Sequence, residues 1–230
     1  RNAHPHTSCN GEIAVVHNGI IQNYAELKSS LTRTGHKFKS DTDSEVIAHL
    51  LEEDYTATHD VRGAILSTCK KLVGAFSFIA GFEDGSIAGA RLDEPLIIGI
   101  SKDGYYISSD VVGFLNYTDR AVFLDNRDIV LLNAGGIETI NFDGETVSRP
   151  ITQVAWEFGA IDKGTYAHFT IKEINEQPDT IVNCGRNQEA RIRDVCDILK
   201  SAPSLYITGS GTSYHCALVA KNLLARYCKK

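Results

Sequence analysis

The spacing of apolar residues changes its period once along the chain. A short strand-like run at 12–17 is followed by apolar residues at helical spacing over 23–31, 42–51 and 60–72, which predicts three amphipathic helices. Beyond them, short and often alternating apolar runs, punctuated by Asp-Gly pairs, predict antiparallel strands. Helices followed by such strands predict an α+β fold. The predicted strands are 75–82, 86–91, 96–100, 105–109, 121–124, 128–132 and 136–141.

The dipeptide Asn18-Gly19 closes the first strand-like run. Asn-Gly is a strong hairpin signal, but no alternating strand follows it, so we predict a strand-to-helix corner. At such a corner a side-chain amide and a backbone N–H can point at the same spot, as they do in an oxyanion hole. From the dipeptide alone, an ordinary turn is the simpler interpretation. The nearby His4-Pro5-His6 lacks the spacing of a metal site and is typical of a surface loop.

The second helix begins with the pattern of a capping box. Thr42 is predicted to cap the helix and Glu45 to reach back to it. Asp43 then falls in the first turn, where the helix dipole favours a carboxylate. A carboxylate at a helix start can bind a substrate ammonium group, and simple capping is the alternative interpretation.

A break in the pattern separates two predicted domains. Residues 151–165 contain two glycines around a lone Trp156 and favour a linker. We therefore predict a first domain over 1–150, a linker over 151–165 and a second domain over 166–230.

The second domain carries one possible binding motif. Helices are predicted near 166–176 and 187–200, with Pro178 as a break, and a buried strand is predicted over 205–208. The strand runs into a glycine turn and a final helix, which is the opening unit of a parallel α/β domain. One such unit cannot close a core, so this domain is predicted to be truncated.

The glycine turn has features of an anion site. Gly209 and Gly211 let the backbone approach an anion, while Thr212 and Ser213 add hydroxyls at a helix N-terminus. The turn matches neither a dinucleotide fingerprint nor a Walker A loop. A phosphorylated small molecule and a plain turn both remain open from these residues.

Composition narrows the class of protein further. With 43% hydrophobic and 23% charged residues the chain is of ordinary globular type. A net charge of −6 without a basic block argues against nucleic-acid partners. The apolar runs are too short to span a bilayer, so a soluble, cytoplasmic protein is predicted. The six cysteines show no paired spacing, which predicts reduced thiols and neither a metal site nor a disulfide framework.

Six stretches resemble known families. The first three resemble class II glutamine amidotransferase domains, and the last three resemble the glutamine–fructose-6-phosphate aminotransferase (isomerising) family. The resemblance extends over nearly the whole chain. The stretches are NAHPH at 2–6, VHNGIIQN at 16–23, SDTDSEVIAH at 40–49, DKGTYAH at 162–168, KEINEQP at 172–178 and GTSY at 211–214.

For the first domain, the resemblance implies most of an Ntn-hydrolase αββα sandwich that hydrolyses glutamine to glutamate and ammonia. Asn18 and Gly19 would form its oxyanion hole through a side chain and a backbone N–H. Asp43 and His6 would bind glutamine. No cofactor and no metal are implied.

For the second domain, the resemblance implies the start of a sugar-isomerase (SIS) domain. It would take fructose 6-phosphate and the ammonia to make glucosamine 6-phosphate, an early step of amino-sugar biosynthesis. Gly211, Thr212 and Ser213 would belong to its sugar-phosphate site, and the parent protein would be a homodimer.

The chain also departs from the family pattern. The family nucleophile is an amino-terminal cysteine that would lie upstream of Arg1, and Cys9 does not match its motif. By the same resemblance, the first strand, the stretch that grips the substrate carboxylate and the rest of the SIS domain would also lie outside these 230 residues. We therefore expect a fragment without turnover of its own. The alternatives are a non-catalytic sugar-phosphate-binding or regulatory module, or another class II amidotransferase.

Overall fold

A computed structural model describes residues 1–133, 135–155, 164–186, 189–209 and 211–228 of the chain. The chain forms two compact units, Arg1–Ile161 and Asp162–Lys230. Among the described helices, none combines the length and the apolar character needed to cross a membrane.

The described residues of the first unit form three α-helices and two antiparallel sheets. Its helices are α1 (Tyr24–Arg33), α2 (Glu45–Thr58) and α3 (Val61–Lys71), with a short 3₁₀ helix at Val111–Gly113. Its strands are β1 (His6–Thr7), β2 (Ile13–Ile21), β3 (Gly74–Phe82), β4 (Ile87–Leu92), β5 (Ile97–Ser101), β6 (Gly104–Ser108), β7 (Arg120–Phe123), β8 (Asp128–Asn133), β9 (Gly136–Asn141) and β10 (Ile151–Gln153). The six-stranded sheet has the order β1-β2-β3-β4-β8-β9 and the four-stranded sheet β10-β7-β5-β6.

The layers follow from the alternation of side chains along each strand. On β3, Phe76 and Phe78 are buried in one core cluster with Leu51 of α2, so this face of the sheet meets the helices. Ile79 points to the opposite face and packs against a second cluster that includes Ile98 of β5. Residues two apart on a strand share a face, and this period places the six-stranded sheet between the helices and the four-stranded sheet.

The outer face of the four-stranded sheet has a small cluster of its own. Val111 of the 3₁₀ helix and Phe114 pack there with Ala121 of β7. Within the described part of this unit, a 3₁₀ helix lies where the expected αββα sandwich would have a second α-helical layer. The α+β fold with two stacked sheets is confirmed.

The predicted corner at Asn18-Gly19 is wrong. Strand β2 continues to Ile21 and is paired with β3 over its whole length, with Gly19 opposite Phe76. Gly19 has φ +113°, and a Cβ there would collide with the carbonyl oxygen of Ala75. The glycine lets two backbones approach closely inside a continuing ladder, so the chain bends without leaving the sheet.

Two helix starts differ from the caps that their sequences favour: Asn23 before α1, a residue type typical of an N-cap, and Thr42 before α2. The side chain of Asn23 makes no capping bond to α1; it accepts from Val73 N at 3.1 Å and donates to Lys71 O at 2.9 Å. Helix α2 begins at Glu45, which follows Asp43 and Ser44. Asp43 therefore precedes the first turn, and Thr42 is not the cap. Contacts with distant segments replace the local capping bonds that the sequence favours.

The strands after the helices are confirmed, each within one residue of the predicted bounds. The predicted linker differs at its start, because residues 151–153 form β10 and pair with β7. Of the rest of that linker, Trp156 lies outside the described residues.

The second unit contains α4 (Phe169–Gly185), α5 (Glu189–Ser201), α6 (Thr212–Leu223) and a π-helical turn at Leu224–Cys228. The predicted break at Pro178 is wrong, since this proline lies inside α4. The helix continues through it although an interior proline removes one backbone hydrogen bond and crowds the preceding turn. The strand expected over 205–208 is absent from this described segment. A strand needs a neighbour to bond with, and residues 205–208 have none in the described part of this unit.

Candidate functional site

The loop before α2, residues 39–44, is held by one buried carboxylate. Glu45 accepts hydrogen bonds from Lys39 N at 2.7 Å, Ser40 N at 2.7 Å and Ser40 Oγ at 2.5 Å. Burial alone would raise the pKa of Glu45, but these hydrogen bonds outweigh burial and the pKa is lowered. The carboxylate thus remains charged and fixes the start of the loop.

Two further hydrogen bonds join the end of this loop to β2. Ser44 Oγ lies 2.8 Å from His17 Nδ1. Asp43 Oδ2 accepts from the backbone N–H of Ile21 at 2.7 Å. These contacts lie on either side of Asn18-Gly19, so the structure brings the predicted oxyanion residues and the predicted ammonium-binding carboxylate to the same edge of the sheet.

His6 faces the same loop from β1. It is buried, and its Nε2 lies 3.1 Å from Thr42 Oγ1. Burial lowers the pKa of His6, and the neighbouring His4 lowers it further. The surface-loop interpretation holds for the exposed His4 and Pro5 and is wrong for His6.

A cavity of about 230 Å³ opens beside Asn18. Its walls come from both sheets: Asn18 and Ser77 belong to β2 and β3, while Ile107 and Ser108 belong to β6. The space lies on the face of the sheet away from the helices. A small polar molecule that enters it would meet the amide of Asn18.

His17 follows Ile13 and Val15 in the alternation of β2, so its side chain lies on the helix face of the sheet as a neutral group. Its exposed fraction is 5%, and its Nε2 has no hydrogen-bond partner in the described part of the chain. Burial lowers the pKa of His17 to about 4, and the nearby His4 and His6 act in the same direction while Asp43 opposes them. At neutral pH this imidazole can accept or donate one hydrogen bond but carries no charge.

The site combines an amide, a bent backbone and a carboxylate. No cysteine lines the cavity among the described residues. Cys69 is buried in the helix-side core and burial raises its pKa. By type, a carboxylate suits an ammonium group and an amide suits a developing oxyanion, while a nucleophile is not among these groups.

The predicted sugar-phosphate residues lie in the second unit. Gly211 has φ +57° and is the N-cap residue of α6. Thr212 and Ser213 are the first two residues of that helix, so their backbone N–H groups belong to its unpaired first turn. The last helix is confirmed, and of the glycine turn before it Ser210 lies outside the described residues.

The sequence has no signal for the parts played by Ser44 and Glu45. The capping-box pattern assigns Glu45 to a local bond, whereas its hydrogen-bond donors are Lys39 and Ser40. Ser44 acquires its contact only because the loop reaches β2, and nothing in the local pattern predicts that approach.

Residues 1–116 match the family described as glutamine amidotransferase domain. The chain is 42% identical to the glutamine–fructose-6-phosphate aminotransferase (isomerizing) of Pyrococcus horikoshii, over 99% of this chain and 39% of that protein. The protein of the same name from Methanocaldococcus jannaschii is 40% identical, over 99% of this chain and 22% of its own length. The chain therefore spans well under half of the length of these relatives.

A solved structure agrees with this match at the level of the fold. The glutamine phosphoribosylpyrophosphate amidotransferase from B. subtilis, complexed with ADP and GMP, aligns with a TM-score of 0.53 and 26% identity. The alignment covers 61% of this chain and 32% of that one. The resemblance read from the sequence is confirmed, and the chain belongs to the glutamine amidotransferase family.

Proposed function

We propose that this chain is part of a glutamine–fructose-6-phosphate aminotransferase whose first unit hydrolyses glutamine to glutamate and ammonia. The observation that carries the proposal is a pair of hydrogen bonds, His17 with Ser44 and Ile21 with Asp43, which holds the end of the loop beside Asn18-Gly19. The chain is 40–42% identical to two enzymes of that name over 99% of its length, and this identity supports fructose 6-phosphate as the acceptor of the ammonia. The phosphoribosylpyrophosphate amidotransferase is less similar, at 26% identity.

The proposed oxyanion hole consists of the side-chain amide of Asn18 and the backbone N–H of Gly19. Attack on the glutamine amide places negative charge on its oxygen, and fixed donors at that oxygen lower the barrier. The positive φ of Gly19 supports this assignment, because it turns the peptide in a way that other residues rarely adopt.

Glutamine recognition is assigned to Asp43 and His6. Asp43 Oδ2 already holds the N–H of Ile21, so Oδ1 would accept from the α-ammonium group of glutamine. The contact of His6 with Thr42 holds the loop that carries Asp43. His6 would therefore support the glutamine site from β1.

Hydrolysis also needs a nucleophile, and the proposal assigns that role to none of the cysteines in these 230 residues. Cys69 is buried, and Cys9 lies beside His36 and His49 rather than in the cavity. We therefore expect the chain by itself to bind glutamine without releasing ammonia.

For the second unit, the proposal is an SIS domain that receives fructose 6-phosphate. The unpaired N–H groups at the start of α6 and the hydroxyls of Thr212 and Ser213 suit a phosphate. Gly211 at their N-terminal side supports close approach of the anion. A homodimeric, cytoplasmic parent enzyme without a cofactor completes the proposal.

Glutamine binding to the 230-residue chain, measured by calorimetry, tests the first part. Asp43→Asn removes the charge that would face the ammonium group, and loss of a charged hydrogen bond costs about 1.5–3 kcal/mol, so affinity should fall at least about tenfold. Asp41→Asn is the matched control, because Asp41 is exposed and pairs with Arg1. Equal affinity in the Asp43 variant, or no binding to the unmodified chain, would contradict the assignment. Ammonia release from this chain would contradict the expected lack of turnover.

A further inference from the structure

Four metal-ligating side chains meet on the helix side of the first unit. Cys9 comes from the loop between β1 and β2, and His36 from the segment after α1. His49 and Glu52 are three residues apart on α2 and share one face of it. One donor atom from each of the four lies within 4.8 Å of all the others.

The distances between donors match those around one tetrahedral ion. His36 Nδ1 and His49 Nδ1 are 3.3 Å apart, and Cys9 Sγ is 3.7 and 3.6 Å from them. Glu52 Oε2 is 3.0 Å from His36 Nδ1 and 3.3 Å from His49 Nδ1. Tetrahedral zinc, with its usual Zn–N and Zn–S bond lengths, places two nitrogens about 3.3 Å apart and a sulfur about 3.6 Å from a nitrogen.

The outer nitrogens of both histidines face carboxylates. His49 Nε2 lies 3.5 Å from Glu45 Oε1, and His36 Nε2 lies 3.8 Å from Glu53 Oε1. With the ring protons on these outer nitrogens, the lone pair of each Nδ1 would be directed into the cluster. Metal-binding histidines commonly donate the outer N–H to a carboxylate; here the carboxylates are near but not hydrogen-bonded, and His49 Nε2 has no hydrogen-bond partner in the described part of the chain.

The other two donors are held by the backbone. Glu52 accepts from Cys9 N and Asn10 N, each at 3.0 Å, through its two oxygens. Cys9 Sγ accepts from Lys37 N at 3.3 Å. These contacts orient the carboxylate and the sulfur before any ion arrives.

Burial and charge also suit a cation. The side chains of His49 and Glu52 are 1% and 10% exposed, whereas Cys9 is exposed and leaves a route for the ion. A thiolate and a carboxylate together carry two negative charges, which a divalent ion would neutralise. The mixed sulfur, nitrogen and oxygen donor set is one that zinc accepts.

We propose that Cys9, His36, His49 and Glu52 bind one Zn²⁺ ion. Four protein ligands complete a tetrahedral shell, which is the form of a structural zinc site rather than a catalytic one. The ion joins α2 to the two loops that carry Cys9 and His36. The proposal does not depend on the glutamine site, because none of its ligands lines the cavity at Asn18.

The test begins with the 230-residue chain stripped of metal by a chelator and reloaded with Zn²⁺. After excess ion is removed, we expect elemental mass spectrometry to find one zinc ion per chain. Loading with Co²⁺ should give the strong visible absorption of a tetrahedral site and a thiolate-to-cobalt charge-transfer band, both reversed by Zn²⁺. Folded protein that retains no zinc, or a cobalt spectrum without the thiolate band, would overturn the proposal.

Two variants identify the ligands. Cys9→Ser should abolish the charge-transfer band and weaken zinc binding more than the roughly 10–100-fold typical of a lost outer-shell partner. His36→Gln should weaken binding to a similar degree. Cys184→Ser is the matched control, since Cys184 is an exposed free cysteine in the second unit. If the Cys9 and control variants bind zinc equally well, the four residues form only a hydrogen-bond network and the proposal is wrong.

Discussion

His17 and Ser44 share a hydrogen bond of 2.8 Å between imidazole Nδ1 and hydroxyl Oγ, which joins the middle of β2 to the residue before α2. Both residues are buried. A charged imidazole in this buried position would be poorly solvated, so protonation of His17 is unfavourable in the folded chain. The stability of the first unit in acid therefore depends on a residue that also holds the loop of the candidate site.

Stability should fall in mild acid, and His17→Gln should reduce that fall. The folded pKa of His17 is about 4 and its ordinary value is 6.5, so the unfolded chain binds the extra proton between these values. The stabilisation is complete above pH 6.5 and is lost as pH falls toward 4, by up to about 3 kcal/mol. Gln keeps a hydrogen-bonding group and does not titrate. Urea unfolding at pH 5 and pH 7.5 measures the difference.

The control for that experiment is His215→Gln, because His215 lies exposed in the second unit. It should leave the acid sensitivity of the first unit unchanged. Equal acid sensitivity in His17→Gln and the unmodified chain would show that another group causes the loss. His6 is expected to contribute in the same direction, since burial lowers its pKa as well.

Ser44→Ala should destabilise the first unit by about 1–3 kcal/mol, the usual result when a buried partner is left without its hydrogen bond. The imidazole of His17 would lose its bond at Nδ1, and its Nε2 already has none in the described part of the chain. Chemical denaturation gives the free energy of unfolding. Ser30→Ala on the exposed side of α1 should change it by less than about 0.5 kcal/mol. A comparable loss in both variants would count against the role of this contact.

Gly19→Ala should cost more than about 2 kcal/mol. Positive φ alone costs about 1–2 kcal/mol for a residue with a Cβ, and the added methyl would also meet the carbonyl of Ala75. Gly81→Ala in β3 is the matched change, because it lies in the same sheet with open space around the new atom. Thermal unfolding of both variants should separate them clearly; a small loss at Gly19 would mean that β2 and β3 can move apart.

Arg149→Met should destabilise the first unit by about 3 kcal/mol, near the lower limit for breaking a buried pair. The guanidinium holds both oxygens of Asp128, at 2.7 and 2.8 Å, and the Asp128 side chain is only 1% exposed. Lys71→Met breaks an exposed pair with Asp54 and should cost no more than about 1 kcal/mol. Urea midpoints compare the two, and equal losses would refute the argument from burial.

The strands were predictable because their signals are local. Alternation and Asp-Gly turns mark β4 to β9, and each of these strands bonds mainly to a neighbour reached through a short turn or another strand of the same series. Strand β2 was cut short at Asn18 because its partner, β3, lies beyond three helices in the sequence. A pairing partner so distant in the sequence does not affect the pattern of apolar and polar residues around Gly19.

The residue types of the candidate site can be predicted from the sequence, whereas the contacts between these residues cannot. The local pattern marks Asn18, Gly19 and Asp43 as candidates and the family resemblance assigns their roles, and the structure places them at one edge. The bond from Asp43 to Ile21 depends on how the loop folds back against the sheet, which helix-capping rules do not describe. The sequence gives no signal for the cluster at Cys9 and His36 for a related reason, because a spacing rule finds ligands close in sequence and these come from separate segments.

The hydrogen bonds that Glu45 receives from Lys39 and Ser40 have a consequence for ligand binding. They remove the conformational freedom of the loop when the protein folds, before any ligand is present. A molecule that reaches Asp43 then meets a preorganised surface, and little of its binding free energy is spent on ordering the chain. Affinity at this edge is therefore tied to the integrity of the first turn of α2, several side chains away from the bound molecule.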